Sequence, residues 1–67
     1  HGDLTDREAA IALLVASGKT NVEIGELLHV SSKTVEYHLS NIMTKFGLRS
    51  RVEIATRVAA GTLLGLG

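Results

Sequence analysis

The chain has no cysteine, no proline and no tryptophan, and its 67 residues include a single Phe and a single Tyr. Without cysteine there is no disulfide framework and no thiolate metal site. Without proline no helix interior is forced to break. With so few aromatic residues the core must be aliphatic. No apolar run approaches the roughly 20 residues that cross a bilayer, and no charged-then-apolar leader opens the chain. These absences point to a soluble, cytoplasmic domain. The length allows one domain, spanning 1–67, near the lower limit of what folds alone. A core this small, without staples, requires compact helix packing or a partner.

A net charge of zero is also a lack, because nucleic-acid binders usually carry a basic excess. The distribution is uneven, however. Residues 1–30 set Asp3, Asp6, Glu8, Glu23 and Glu26 against Arg7 and Lys19. Residues 31–67 set Lys33, Lys45, Arg49, Arg51 and Arg57 against Glu36 and Glu53. A phosphate backbone responds to the local field, so a neutral chain can still present a basic side.

What the chain does have is helix punctuation. Thr5-Asp-Arg-Glu8, Thr20-Asn-Val-Glu23 and Ser50-Arg-Val-Glu53 each match a capping box, in which hydroxyl and carboxylate satisfy each other's backbone N–H. Ser31 or Ser32 caps one further helix. Gly18, Gly47 and Gly61 stand where helices should stop. Between these signals lie apolar residues at helical spacing: Ala10, Ile11, Leu14 and Val15 in the first helix, and Ile24 to Leu28 in a short second one. The third helix, about 32–46, turns Val35, Leu39, Ile42 and Phe46 inward. The fourth turns in Ile54, Ala55 and Val58. No strand signal, repeat or linker is present. The expected fold is all-α, with four helices. Residues 1–3 and 62–67 are expected to be frayed or extraneous to the domain.

Only His29 to Ser31 separate the second and third helices. A connection that short makes two helices cross steeply, as in a helix-turn-helix unit. Gly25 lies one turn before the end of the second helix, where a small residue permits close backbone approach, although an ordinary neutral exchange for alanine would read the same. The third helix has a polar outer face comprising Lys33, Glu36, Tyr37, Ser40, Asn41 and Thr44. A helix entering the major groove needs such a face, with base contacts near its N-terminus and phosphate contacts at its flanks. Ser31, Ser32 and Thr34 offer donors at the helix N-terminus. Lys45, Arg49 and Arg51 follow at its far end. On spacing alone, a plain helical bundle with an exposed polar face remains equally open.

The segments LTDRE at 4–8 and SGKTNVEIGELLHVSSKTVEYHLSNIMTKFGLRSRVEIA at 17–55 resemble the LuxR-type (GerE-like) helix-turn-helix family. Within them the match is carried by Thr34-Val35 with His38, by Asn41-Ile42 and by Lys45-Phe46-Gly47, and it runs from Leu4 to about Val58. The resemblance implies the C-terminal effector domain of a bacterial transcription regulator, with a sensor domain elsewhere. It further implies that the third helix reads double-stranded DNA and that the fourth forms a dimer on an inverted repeat. RNA polymerase is a further partner implied by that role. On the fourth helix Val52, Thr56 and Ala59 form a second stripe that suits the dimer seam. The chain departs from the family at Glu36, where a Lys or Arg is usual, and at the short Ser40. Glutamate cannot grip phosphate but accepts from cytosine N4, so Glu36 is expected to influence base choice unless it pairs with Lys33 or Ser40. Tyr37 is expected to contact DNA. His38 is expected to be a packed histidine, and His29 an ordinary helix end. No nucleophile–base pair, phosphate loop, cofactor motif or metal constellation is present, which argues against an enzyme. The competing function is a protein-interaction module of the same fold, which the neutral charge and Glu36 favour.

Overall fold

The computed structural model describes residues 4–61, and the expected loose ends at 1–3 and 62–67 lie outside them. Four helices follow in order: α1 (Asp6–Ala16), α2 (Asn21–Leu28), α3 (Ser32–Phe46) and α4 (Arg51–Ala59). No strand occurs among the described residues, so the fold is all-α as the punctuation indicates.

Two of the three capping boxes form. Thr5 Oγ1 accepts from the Glu8 N–H at 3.1 Å while Glu8 returns a carboxylate oxygen to the Thr5 N–H at 3.0 Å. Thr20 and Glu23 repeat this at 3.1 and 2.9 Å. The third, at Ser50, does not form. Ser50 sits at φ −155°, far more extended than Thr5 at −72° or Thr20 at −79°, and its hydroxyl makes no cap bond. Glu53 instead bonds one residue further back, to the Arg49 N–H. At α3 it is Ser31, not Ser32, that caps: its Oγ accepts from the Thr34 N–H at 3.1 Å.

Helix stops fall where expected, with one addition. Gly18 (φ 86°) closes α1, as the Lys19 N–H reaches back to the Leu14 carbonyl at 3.1 Å. At the end of α2 the left-handed position is filled by a non-glycine residue, His29, at φ 60° and ψ 42°. It lets the Val30 N–H reach the Gly25 carbonyl at 2.9 Å. The chain folds back so tightly there that a Cβ on Gly25 would lie 2.6 Å from the Val30 carbonyl oxygen. The need for a small residue at position 25 is therefore real. The crowding partner is the turn that follows.

All four helices contribute to one aliphatic core. Ile11, Ile24, Val35, Ile42 and Ile54 are fully enclosed, with Ala12, Val15 and Leu39 beside them. Phe46, Leu14, Ala55 and Val58 pack around that centre, half-buried. α1 packs against each of the other three helices and so acts as the spine of the domain. Burying a large aliphatic side chain stabilises by about 1.5–3 kcal/mol, so the four central isoleucines carry much of the fold. Ala12, unremarked in the periodicity, is fully buried, whereas Ala10 is only half-buried.

Candidate nucleic-acid interface

The outer face of α3 follows from its inner one. At 100° per residue, Lys33, Glu36, Tyr37, Ser40 and Thr44 fall in one arc of about 100°, opposite Val35, Leu39 and Ile42. All five are exposed, and Tyr37 is 64% exposed. Glu36 makes no hydrogen bond or ion pair with any described residue, so the pairing with Lys33 or Ser40 that would occupy it is not formed. Lys33 likewise has no partner among the described residues. The row projects from a helix whose other side is locked into the core. Asn41 lies half-buried at its flank.

The start of α3 is ordered by its own hydroxyls. Ser31 Oγ holds the Thr34 N–H and lies 3.0 Å from Thr34 Oγ1, so both hydroxyls are engaged within the first turn. The N–H groups of Ser32 and Lys33 find no acceptor among the described residues and stand at the positive end of the helix dipole. That end suits an anion.

The four cations proposed from the sequence divide into two pairs. Lys33 and Arg49 are exposed, and their side chains have no partner among the described residues. Lys45 instead places Nζ 2.6 Å from Glu8 Oε1 across the α1–α3 interface. Arg51 donates to Asn21 Oδ1 at 2.6 Å and to the Lys19 carbonyl at 2.8 Å. Among the described residues Glu8 is the one charged residue in the core, with 3% exposure. Burial pushes its carboxyl up. The bond from Lys45, the Thr5 N–H and the nearby Lys45 and His38 charges outweigh this and hold it below its usual range. Neither partnership was visible in local spacing, because Glu8 and Lys45 are 37 positions apart.

His38 is half-buried as expected. Its ring meets Tyr37 edge-on at 5.5 Å and 65°, and its buried Nδ1 has no hydrogen-bond partner among the described residues. No group of three His, Cys, Asp or Glu among the described residues converges to hold a metal. On α4, Val52 (68% exposed), Thr56 and Ala59 are all exposed, on the side away from Ile54. The Thr56 hydroxyl bonds the Val52 carbonyl at 3.0 Å, so the stripe has little unmet polar demand.

Two helices joined by a three-residue turn, the second carrying a free polar face, define a helix-turn-helix domain. Residues 3–58 match the family model described as bacterial regulatory proteins, luxR family, and the chain belongs to that family of DNA-binding transcription regulators. It is 47% identical over 55 residues to the transcriptional regulatory protein LiaR of Bacillus subtilis, matching 82% of this chain and 26% of that protein. It is 53% identical over 51 residues to the oxygen regulatory protein NreC of Staphylococcus aureus, matching 76% of this chain and 24% of that one. An uncharacterized response regulatory protein of Escherichia coli, YgeK, is 51% identical over 51 residues, with 76% and 35% covered. The chain thus spans a quarter to a third of the length of these relatives. The family is one of DNA binding rather than catalysis. No helix among the described residues is long and apolar enough to cross a membrane.

Proposed function

We propose that this domain reads duplex DNA sequence-specifically, with α3 in the major groove and two copies joined through α4 on an inverted repeat. The observation that supports this most is the free row on α3. Lys33, Glu36, Tyr37 and Ser40 are exposed, and Lys33 and Glu36 have no partner among the described residues, on a helix whose opposite side is immobilised in the core. Phosphates are taken by the Ser32 and Lys33 N–H groups, by Lys33 and by Arg49, which makes affinity salt-dependent. Asn41, Ser31 and Thr34 support the row from its edges. Glu36 accepts from a cytosine amino group and disfavours the wrong register. Val52, Thr56 and Ala59 form the seam of a homodimer whose half-sites lie about one helical turn apart. The domain works in the cytoplasm, as the C-terminal effector part of a longer regulator whose bound form meets RNA polymerase.

Selecting random duplexes on the purified domain, at low and at physiological salt, tests this. An inverted-repeat motif surviving the higher salt is the expected result. Recovery of no motif, with binding lost as salt rises, would overturn base reading and favour the interaction module. Repeating the selection with Glu36→Gln should change the preference at one position per half-site. An unchanged preference would remove Glu36 from the readout.

A further inference from the structure

Arg51 opens α4, but its side chain reaches the start of α2. Nη1 donates to Asn21 Oδ1 at 2.6 Å and Nη2 donates to the Lys19 carbonyl at 2.8 Å. The two acceptors flank Thr20, the residue that caps α2. A guanidinium is planar and presents its donors as a fixed fork, so two acceptors held together are fixed in direction as well as distance. The fork therefore clasps the beginning of α2 to the beginning of α4, two points 30 positions apart in the chain. Between these points lies a shallow, open groove lined by Val15, Gly18, Val22 and Arg51 among the described residues. The fork is the polar tie across that gap.

The placement bears on DNA binding. The first helix of a helix-turn-helix crosses the backbone while the second lies in the major groove, so a tie that fixes the start of α2 bears on how the pair docks. Arg51 also directly precedes Val52, the head of the exposed α4 stripe. We propose that Arg51 is a positioning residue, fixing α2 relative to α4 through its fork and contacting no phosphate. The proposal rests on the reading that α3 and its flanks meet duplex DNA. It opposes the role that the sequence suggests for the same arginine.

Salt separates the two roles. Each phosphate contact adds about 0.9 to the slope of log affinity against log salt. Affinity for the selected duplex would be measured between about 50 and 200 mM salt for Arg51→Lys, Arg51→Gln, Asn21→Ala and the Arg51→Gln/Asn21→Ala pair, with Lys33→Met as the comparator. A positioning role predicts that both Arg51 variants lose about tenfold, since lysine keeps the charge but not the fork. The salt slope stays at its parental value. Asn21→Ala loses part of the same amount, and the double variant loses no more than Arg51→Gln alone. Lys33→Met lowers the slope by about 0.9. Retention of parental affinity by Arg51→Lys, a slope reduced by about 0.9 in Arg51→Gln, or additive losses in the double variant would each overturn the proposal. Circular dichroism establishes that each variant is folded at the assay temperature. Should Arg51→Gln unfold, Arg51→Lys and Asn21→Ala carry the test. If the parent chain itself selects no duplex, the groove reading fails, and this one with it, before any variant is made.

Discussion

Replacing Gly25 with alanine sets two physical effects against each other. Alanine is the better helix former by about 0.8–1 kcal/mol, and position 25 lies inside α2. Helix propensity alone therefore predicts a more stable protein. The structure predicts the reverse. The added Cβ would lie 2.6 Å from the Val30 carbonyl oxygen, with the Ser31 carbonyl carbon at 3.4 Å and the Ser32 nitrogen at 3.5 Å. All three are backbone atoms, so no side chain can swing aside. The turn itself must move by several tenths of an ångström. Overpacking of this kind costs about 1–3 kcal/mol. The same movement strains the Val30 N–H to Gly25 carbonyl bond, which contributes about 1 kcal/mol. After the propensity gain is set against these, the net destabilisation is about 1–3 kcal/mol. In a domain of this size that lowers the melting temperature by roughly 4–8 °C per kcal/mol. Thermal unfolding followed by circular dichroism reads it directly, with Gly18→Ala as a contrast. At Gly18 nothing lies within 4 Å of the added carbon, and only the φ of 86° resists it. An unchanged or raised melting temperature for Gly25→Ala would refute the crowding argument.

The Glu8–Lys45 pair should govern the acid limb of stability. The folded protein holds the Glu8 carboxyl below its usual range, so its contribution is complete above the unfolded-state pKa and is lost as pH falls through the folded one. Glu8→Gln should flatten that loss in a series of unfolding curves from neutral to acid pH. Lys45→Met leaves a buried carboxylate without this cation and should destabilise by about 1–3 kcal/mol at pH 7, more than the Glu8→Gln/Lys45→Met pair does. At the caps, Thr5→Ala and Thr20→Ala should each cost about 1 kcal/mol in denaturant unfolding, whereas Ser50→Ala should cost no more than a few tenths. His29→Gly should raise stability by up to about 1 kcal/mol, because glycine adopts the left-handed conformation without the Cβ clash that costs other residues roughly 1–2 kcal/mol. An equal or lower midpoint would show that His29 contributes more than its backbone.

Much of this architecture could be read from the chain because its signals are local. A capping box spans four residues and a helical stripe repeats within a turn, so four helices and the bounds of α3 emerged from neighbouring positions. Ser50 shows where that ends. Its residue types match the box, but the backbone entering α4 is too extended for the hydroxyl to reach, and that geometry is set by packing. The site divides along the same line. Exposure of Lys33, Glu36, Tyr37 and Ser40 follows from periodicity, since the apolar side must face the core. The partners of Lys45 and Arg51 do not, because they depend on which helix ends meet in space. A basic residue near the end of a helix looks the same in sequence whether its side chain is turned to solvent or to its own protein. Ala12 escapes the pattern for a similar reason: alanine carries little apolar signal, yet its place in α1 is fully buried.

A single oxygen atom, Oε1 of Glu8, both accepts the backbone N–H that begins α1 and holds the ammonium in the last turn of α3. The opening of the domain and the end of α3 are therefore coupled. If the first turn of α1 unwinds, the carboxylate leaves with it and Lys45 loses this partner. The two ends should show similar amide-exchange protection, and a pull on the chain just ahead of Thr5 should be felt about forty residues later, at the last turn of α3.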